Sequence, residues 1–455
     1  MDSYRAILRL VWPIALGMVN GAAMQFVDRA YLARHSMAAL EAVLPATTLA
    51  WIFLSFFQSV VGYAGVFVSQ YHGAGDDAGV ARSYRAGLWL AAISGILMLP
   101  LVPLGNWIFA ATAASAELLA LEKAYYGIVT AGGIFVFWQM AVASYFTGRG
   151  RTGIVFWVSL CGNVFNVALD PLLIFGGWGI PALGVAGAAC ATVFSLALQS
   201  VVLFWLARRD FRRRPVPREP LRETFRFLRN ILRFGVPSGA YDVLNMASFT
   251  IFVFVSGRVG DVAFAASNAC FTVNYLLYAP MMGFAIGAQT FVGQACGSGD
   301  CALARRAVRR TLLLGLGFVI VACMAVIALR GPLLSLFAPA DPAMQAEFVS
   351  VGSVLFMLMS AWMLFDGADT ILSGALKGAG DTKFVMWWMF VSSFLLWMPA
   401  VFAVARWHNT MPALWATMVA YVLVICTGTA LRWRLGRWRS IALVGGDRGK
   451  ESAAS

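Results

Sequence analysis

Charged residues are scarce in this chain. Only 12% of its 455 residues are Asp, Glu, Lys or Arg, whereas 60% are hydrophobic. So little polar sequence cannot cover the surface of a water-soluble protein of this size, while a surface that faces lipid needs almost none. The composition excludes an ordinary soluble globular protein and indicates a chain embedded in a membrane.

The residues that carry most metal and redox chemistry are few and scattered. The three histidines, His35, His72 and His408, fall in unrelated segments without the spacing of zinc ligands. The seven cysteines lie in predicted helices or on the predicted inner side, which disfavours a disulfide framework. There is also no nucleophile with a base and no cofactor motif. We therefore expect neither an enzyme nor a bound cofactor.

Long apolar stretches dominate the rest of the sequence. A helix needs roughly 20 mostly apolar residues to cross the hydrocarbon core. The runs are too long for membrane β-strands and do not alternate as a barrel requires. The sequence predicts an all-α polytopic membrane protein with twelve transmembrane helices, near 10–33, 43–71, 86–110, 124–147, 153–175, 183–207, 231–257, 264–295, 308–331, 347–376, 384–405 and 412–434.

The basic residues that give the chain its net charge of +13 are concentrated on one predicted side of the membrane. If the N-terminus is inside, all but six of the 34 Lys and Arg residues fall on the inner side, as the positive-inside rule requires. The basic character is thus topological, and a nucleic-acid partner is not expected. We predict a plasma (inner) membrane protein with both termini cytoplasmic. The six outer residues are Arg29, Arg34, Lys123, Arg258, Arg330 and Arg406.

The chain repeats itself. Nine of nineteen positions of Phe67–Arg85 recur in Phe291–Arg309, at an offset of 224, and Gly148, Gly150 and Thr152 recur at an offset of 230. Both echoes end a helix at an inner turn. Two halves of six helices each enter the membrane from the same side and form a parallel, pseudo-symmetric repeat. The predicted organisation is an N-terminal six-helix lobe at 1–207, a cytoplasmic basic linker at 208–230, a C-terminal six-helix lobe at 231–435 and a cytoplasmic tail at 436–455. A short amphipathic helix is expected at 220–230.

Two carboxylates stand out inside the first half because a charge in the hydrocarbon core costs roughly 2.5–3.5 kcal/mol. At about 1.5 Å per residue, Asp28 and Asp170 should lie at similar height. Asn163, Asn166 and Asp170 share one helix face. These oxygens could form a Na⁺ site, they could share a proton, or they could only hold helices together. The second half has no equivalent acids, which favours a functional role.

A second acidic pair, Asp366 and Asp369, lies one turn apart in the middle of the tenth helix. A second site for an ion or for a cationic substrate is one interpretation. Structural pairing with Asn245 or Tyr241 is another. A Mg-diphosphate motif of a membrane prenyltransferase is disfavoured because no second acidic motif accompanies it. In the first helix, Pro13 precedes Asp28 by 15 residues and predicts a kink.

Three stretches together resemble the multidrug and toxic compound extrusion (MATE) family. They are 13–33 with its Pro and Val-Asp, 163–192, which is the most specific, and 373–383. The resemblance covers nearly the whole chain. It implies an antiporter that exports amphipathic, often cationic organic compounds in exchange for Na⁺ or H⁺ by alternating access, and we expect a monomer.

The same resemblance implies roles for single residues. The family's N-lobe cation site falls on Asp28, Asn166, Asp170 and Thr192. The acid of the tenth helix in the NorM branch falls on Asp366, but the Glu of that branch in the seventh helix is Asn245 here. This departure favours coupling in the N-terminal lobe. The alternative function, a lipid-linked oligosaccharide flippase of related architecture, would require Arg inside a cavity, and no helix interior supplies one.

Overall fold

In the part of the chain that the computed structural model describes, twelve helices are long and apolar enough to span a membrane, which confirms the predicted all-helical fold. The structure describes residues 3–213, 220–339, 341–441 and 443. We number these helices α1 to α12. They cover Tyr4–His35, Met37–Gly73, Asp77–Thr112, Ala116–Gly148, Thr152–Phe175, Val185–Arg213, Arg222–Ser256, Asp261–Gly297, Cys301–Ala328, Met344–Ala379, Thr382–Trp407 and Met411–Leu435.

The linker contributes to helices at both of its ends. Helix α6 continues to Arg213, and the helix expected at 220–230 is the start of α7 rather than a separate element. Its buried residues are Thr224, Phe227, Leu228 and Ile231, a spacing of i, i+3, i+4, i+7 that carries the apolar stripe straight into the span. Residues 214–219 and the tail beyond 443 lie outside the described residues.

The chain forms two compact units. The N-terminal unit consists of residues 16–239, and the C-terminal unit consists of residues 1–15 together with 240–455. The boundaries fall inside α1 and α7, two residues after Pro13 and two residues after Pro237. In the C-terminal unit, the start of α1 packs into the core through Ile7, Leu10 and Val11.

The repeated Gly-Asp dipeptide has the same structural task in each unit. Asp76 accepts a hydrogen bond from the backbone N of Gly79 at 2.8 Å, and Asp300 accepts one from Leu303 at 2.8 Å. Each Asp therefore caps the helix that follows it. The preceding Gly75 and Gly299 have φ of 71° and 77°, a conformation that glycine adopts without strain. The Gly-Asp dipeptide is therefore repeated because both units need the same turn and the same helix cap.

Gly148 and Gly378 are repeated because two backbones approach closely. A Cβ at Gly148 would lie 2.6 Å from the carbonyl oxygen of Gly65, and one at Gly378 would lie 2.3 Å from that of Gln289. Residues 65 and 289 are themselves related by the offset of 224. The contact of α4 with α2 is thus reproduced by α10 with α8.

We expect Gly148→Ala to destabilise the protein by about 1–3 kcal/mol, because a methyl group must push two backbones apart. The measurement is the temperature at which purified protein in detergent loses its monodisperse peak. Gly153→Ala is the matched control, since no described atom beyond its own helical turn lies within 4 Å of the position that a Cβ would take there. It should be neutral or stabilising because Ala favours a helix over Gly by about 1 kcal/mol. Equal effects of the two variants would contradict the close-packing explanation.

Two candidate cation sites

The first candidate site lies in the N-terminal unit, where α1, α5 and α6 meet. Asn166 and Asp170 on α5 are fully buried. With its amide oriented by its neighbours, Asn166 donates to Asp28 Oδ1 at 3.1 Å and accepts from the backbone N of Thr192 at 3.2 Å. The carboxyl groups of Asp28 and Asp170 lie within hydrogen-bonding reach of each other. The structure therefore brings together Asp28, Asn166, Asp170 and Thr192.

Asp170 has an unusual environment. Neither of its carboxyl oxygens accepts a hydrogen bond from a donor group in the part of the chain that the structure describes. Its facing partner, Asp28, is another carboxyl group, which accepts and does not donate when ionised. A buried carboxylate without a hydrogen-bond donor is costly, although Arg29 provides positive charge near Asp28. A proton or a metal cation between the two carboxyl groups would remove that cost.

Asn163 lies one turn before Asn166 on α5 but has different neighbours. Its amide oxygen accepts a hydrogen bond from Gln199 Nε2 at 3.4 Å, and Gln199 Oε1 in turn accepts from Gln139 at 2.9 Å. The shared helix face predicted for Asn163, Asn166 and Asp170 is therefore divided between two networks. Asn163 belongs to an amide network beside the acidic cluster.

One residue of this region, Tyr125, gave no signal in the sequence. Tyr125 on α4 lies close enough to Asp28 and Asp170 to interact electrostatically with both. Thr192 contributes its backbone N to the cluster, while its hydroxyl donates to Ala188 within α6 at 3.1 Å. A single tyrosine in an apolar helix forms no sequence pattern from which its proximity to Asp28 and Asp170 could be predicted.

The second candidate site is a cavity of about 50 Å³ inside the C-terminal unit. Asp366, Asp369 and Asn245 line it together with the aromatic side chains of Tyr241, Tyr278, Trp362, Trp397 and Tyr421. About 10–15 Å³ of such space is enough for one water, whereas sites for drug-sized ligands enclose about 300–1,000 Å³. The cavity therefore has room for a small cation with a few waters and is much smaller than a typical site for a dye.

Asp369 is held by two hydroxyl groups. Thr429 Oγ1 donates to its Oδ1 at 2.7 Å, and Ser373 donates to its Oδ2 at 3.4 Å. Neither donor was expected, since the sequence suggested Asn245 or Tyr241. At the offset of 230, the Asp369–Thr429 pair corresponds to the Gln139–Gln199 pair of the N-terminal unit. The equivalent pair of positions is in contact in both units, but only the C-terminal pair includes a charged residue, Asp369.

Lys377, on the same helix as these acids, forms an ion pair with Asp242 on α7. Lys377 Nζ is 3.2 Å from Asp242 Oδ1 and 4.0 Å from the ring centroid of Tyr241. The side chain of Lys377 is only 13% exposed. Asp242 on α7 is thus the counter-charge of a largely buried lysine on α10, which distinguishes it from Asp366 and Asp369.

The family model MatE matches residues 13–172 and 237–402, so that one matching segment falls in each half of the repeat. The probable multidrug resistance protein NorM of Deinococcus radiodurans is 29% identical over 384 residues, with 83% of each chain covered. The protein of the same description from Bradyrhizobium diazoefficiens is 27% identical over 436 residues, covering 94% of this chain and 88% of its own.

Solved structures show the same fold. A multidrug resistance MATE family transporter of the MOP superfamily, in an outward-facing conformation, has a TM-score of 0.81 at 19% identity, with 96% of each chain covered. A MOP superfamily transporter from Pyrococcus furiosus has a TM-score of 0.83 at 19% identity, covering 97% of this chain and 98% of its own. At such identities the likeness is one of fold alone.

Proposed function

This chain belongs to the MatE family of membrane transporters, and we propose that it is an antiporter which exports amphipathic, often cationic organic compounds in exchange for Na⁺ or H⁺. Family membership makes it a transporter rather than an enzyme. The NorM relatives are described as multidrug resistance proteins, which supports an organic substrate.

The observation that carries the coupling proposal is the pair of facing carboxyl groups, Asp28 and Asp170. A buried Asp170 without a described donor favours a state in which a cation or proton is bound. Antiport requires that each ligand bind the two facing states of the transporter with different affinity. We propose that cation binding at Asp28, Asn166 and Asp170 favours release of the organic substrate outward, and that loss of the cation favours reloading from inside.

We propose that helix α1 couples this site to a conformational change. It contains both Pro13 and Asp28, and the boundary between the two units falls within it, two residues after Pro13. Proline removes one backbone hydrogen bond and allows a helix to bend. We propose that α1 bends at Pro13 when the charge at Asp28 is neutralised.

The C-terminal cavity supports a second, smaller role. Its volume of about 50 Å³ fits a small cation better than an organic substrate. We propose that Asp366 and Asp369 bind a small cation, with Asn245 as a neutral neighbour. No described arginine lines this cavity, so the flippase alternative gains no support from it. The protein is proposed to act as a monomer in the plasma membrane with both termini cytoplasmic.

The decisive test of this function is dye transport in proteoliposomes under one gradient at a time. A Na⁺ gradient without a pH difference, and a pH difference without a Na⁺ gradient, are imposed on the same preparation. We expect one of the two to drive a cationic dye uphill, which identifies the coupling ion. Transport of no dye under either gradient, by protein that remains monodisperse, would rule out the proposed antiport of cationic organic compounds.

A further inference from the structure

Six arginines gather at one surface of the C-terminal unit, where α1 and α9 begin. Arg5 and Arg9 lie in the first two turns of α1, and the other four lie in the second and third turns of α9. The start of α1 contacts the start of α9, since the guanidinium of Arg310 lies 5.6 Å from the ring centroid of Tyr4. We call this group the arginine surface. Its members are Arg5, Arg9, Arg305, Arg306, Arg309 and Arg310.

The arginines face outward because the opposite faces of both helices are buried. On α1, Ile7, Leu10 and Val11 pack into the core, which leaves Arg5 and Arg9 exposed. On α9, Ala304, Ala307 and Val308 are buried, and Arg305, Arg306 and Arg309 are exposed. The charges therefore form one outer surface.

The arginines lie close enough along each helix to repel one another. Three arginine pairs have the spacing i, i+4, at which like charges repel on a helix. Arg5, in the first turn of α1, is also opposed by the helix dipole. Helix α9 has no acid in its first described turn, and the carboxylate of Asp300 lies 3.9 Å from Arg306. An external anion would relieve both effects.

The first half of the repeat shows that this charge is not required by the fold. Arg305 and Arg310 correspond at the offset of 224 to Ala81 and Ala86, which are buried. Where α9 begins with Cys301, α3 begins with Asp77, an acid in its first turn. The positive-inside rule explains the side of the membrane but not this difference between the halves.

The surroundings of the surface indicate the source of the anion. Tyr4, Leu8 and Trp12 on α1 are exposed by 46%, 46% and 44%. Exposed Tyr and Trp beside Arg are typical of the headgroup level of a bilayer, where an acyl chain can contact the apolar side chains. A soluble phosphate would make no use of them.

We propose that the arginine surface binds the phosphodiester headgroup of an anionic phospholipid. The proposal is independent of what the protein transports, because it concerns an outer surface of one unit. Lipid phosphate would lie against the guanidinium groups at the start of α1 and in the second and third turns of α9.

The test measures lipid association directly. Protein is placed in nanodiscs of equal parts phosphatidylcholine and phosphatidylglycerol, and the motionally restricted fraction of spin-labelled phosphatidylglycerol is compared with that of spin-labelled phosphatidylcholine. We expect the wild type to prefer phosphatidylglycerol. Arg305→Ala with Arg310→Ala restores the residues of the first half and should weaken the preference by about fivefold for each arginine, the factor that corresponds to about 1 kcal/mol per basic residue near an anionic surface. Arg5→Ala with Arg9→Ala should act in the same direction.

The control removes the same charge elsewhere. Arg212 and Arg213 are exposed in the last turn of α6, where the helix dipole favours positive charge. Arg212→Ala with Arg213→Ala should leave the preference nearly unchanged. An equal loss in this control, or no preference for phosphatidylglycerol in the wild type, would overturn the proposal. Displacement of the lipid by inorganic phosphate at constant ionic strength would also overturn it, in favour of a soluble anion.

Discussion

Asp170→Asn should abolish gradient-driven transport of a cationic dye without loss of the fold. The asparagine keeps the size of the side chain but cannot release a proton, and it no longer adds a negative charge beside Asp28. It can also donate a hydrogen bond to Asp28, which the wild-type carboxylate cannot do. Proteoliposome assays should show uptake at the level without a gradient. Asp28→Asn should have the same effect on transport.

A stability measurement separates this role from a structural one. If Asp170 only holds helices together, the asparagine variant should be less stable. If it binds a cation, the variant should be as stable as the wild type or more so, because an uncompensated buried charge has been removed. The coupling ion at 100 times its dissociation constant should stabilise the wild type by about 2.7 kcal/mol, and this shift should disappear in Asp170→Asn.

The control for this experiment is Glu117→Gln, which removes an exposed carboxylate from the first turn of α4. We expect wild-type transport and a wild-type response to the ion. Retention of coupled transport in Asp170→Asn would refute coupling through the facing carboxyl groups and would direct the search to Asp366 and Asp369.

Asp369→Asn should remove a second cation effect, one that depends on the C-terminal cavity. The cavity of about 50 Å³ admits a small cation, and Asp369 is the acid fixed in it by hydrogen bonds. The apparent affinity for the coupling cation should fall, while the KM for dye should change little. Dye uptake measured over a series of cation concentrations distinguishes the two parameters.

Thr429→Val tests the same site more gently. It removes the 2.7 Å hydrogen bond to Asp369 while keeping the shape of the side chain. A hydrogen bond to a charged group contributes about 1.5–3 kcal/mol, so the cation affinity of the site should change by about tenfold or more. Thr427→Val makes the same chemical change on the same helix and should have no effect, because the described partner of this hydroxyl is the backbone oxygen of Leu423, at 2.7 Å. A change in dye KM instead of cation affinity would show that the cavity belongs to the substrate.

Several features could be predicted because they depend on local sequence. Twelve helices follow from apolar stretches of sufficient length, and the family follows from motifs in the right order. Helical rise predicted similar heights for Asp28 and Asp170, and the structure places their carboxyl groups within hydrogen-bonding reach.

Other features depend on how each helix is rotated and which neighbour it meets. Asn163 and Asn166 share a face on α5, yet one contacts Gln199 and the other Asp28. Asp369 and Thr429 are 60 residues apart, and no spacing rule joins them. Lys377 and Asp242 are 135 residues apart, and only the packing of α10 against α7 makes them partners.

The sequence by itself determined that this protein is a helical membrane transporter with an internal repeat, because hydrophobic length, charge asymmetry and repeated capping motifs are all written in consecutive residues. Only the tertiary structure decided which buried carboxylates have donors. Thr429 and Ser373 donate to Asp369, whereas no described donor reaches Asp170. Burial and hydrogen bonding are properties of packed surfaces, and a surface exists only once residues distant in the chain have been brought together.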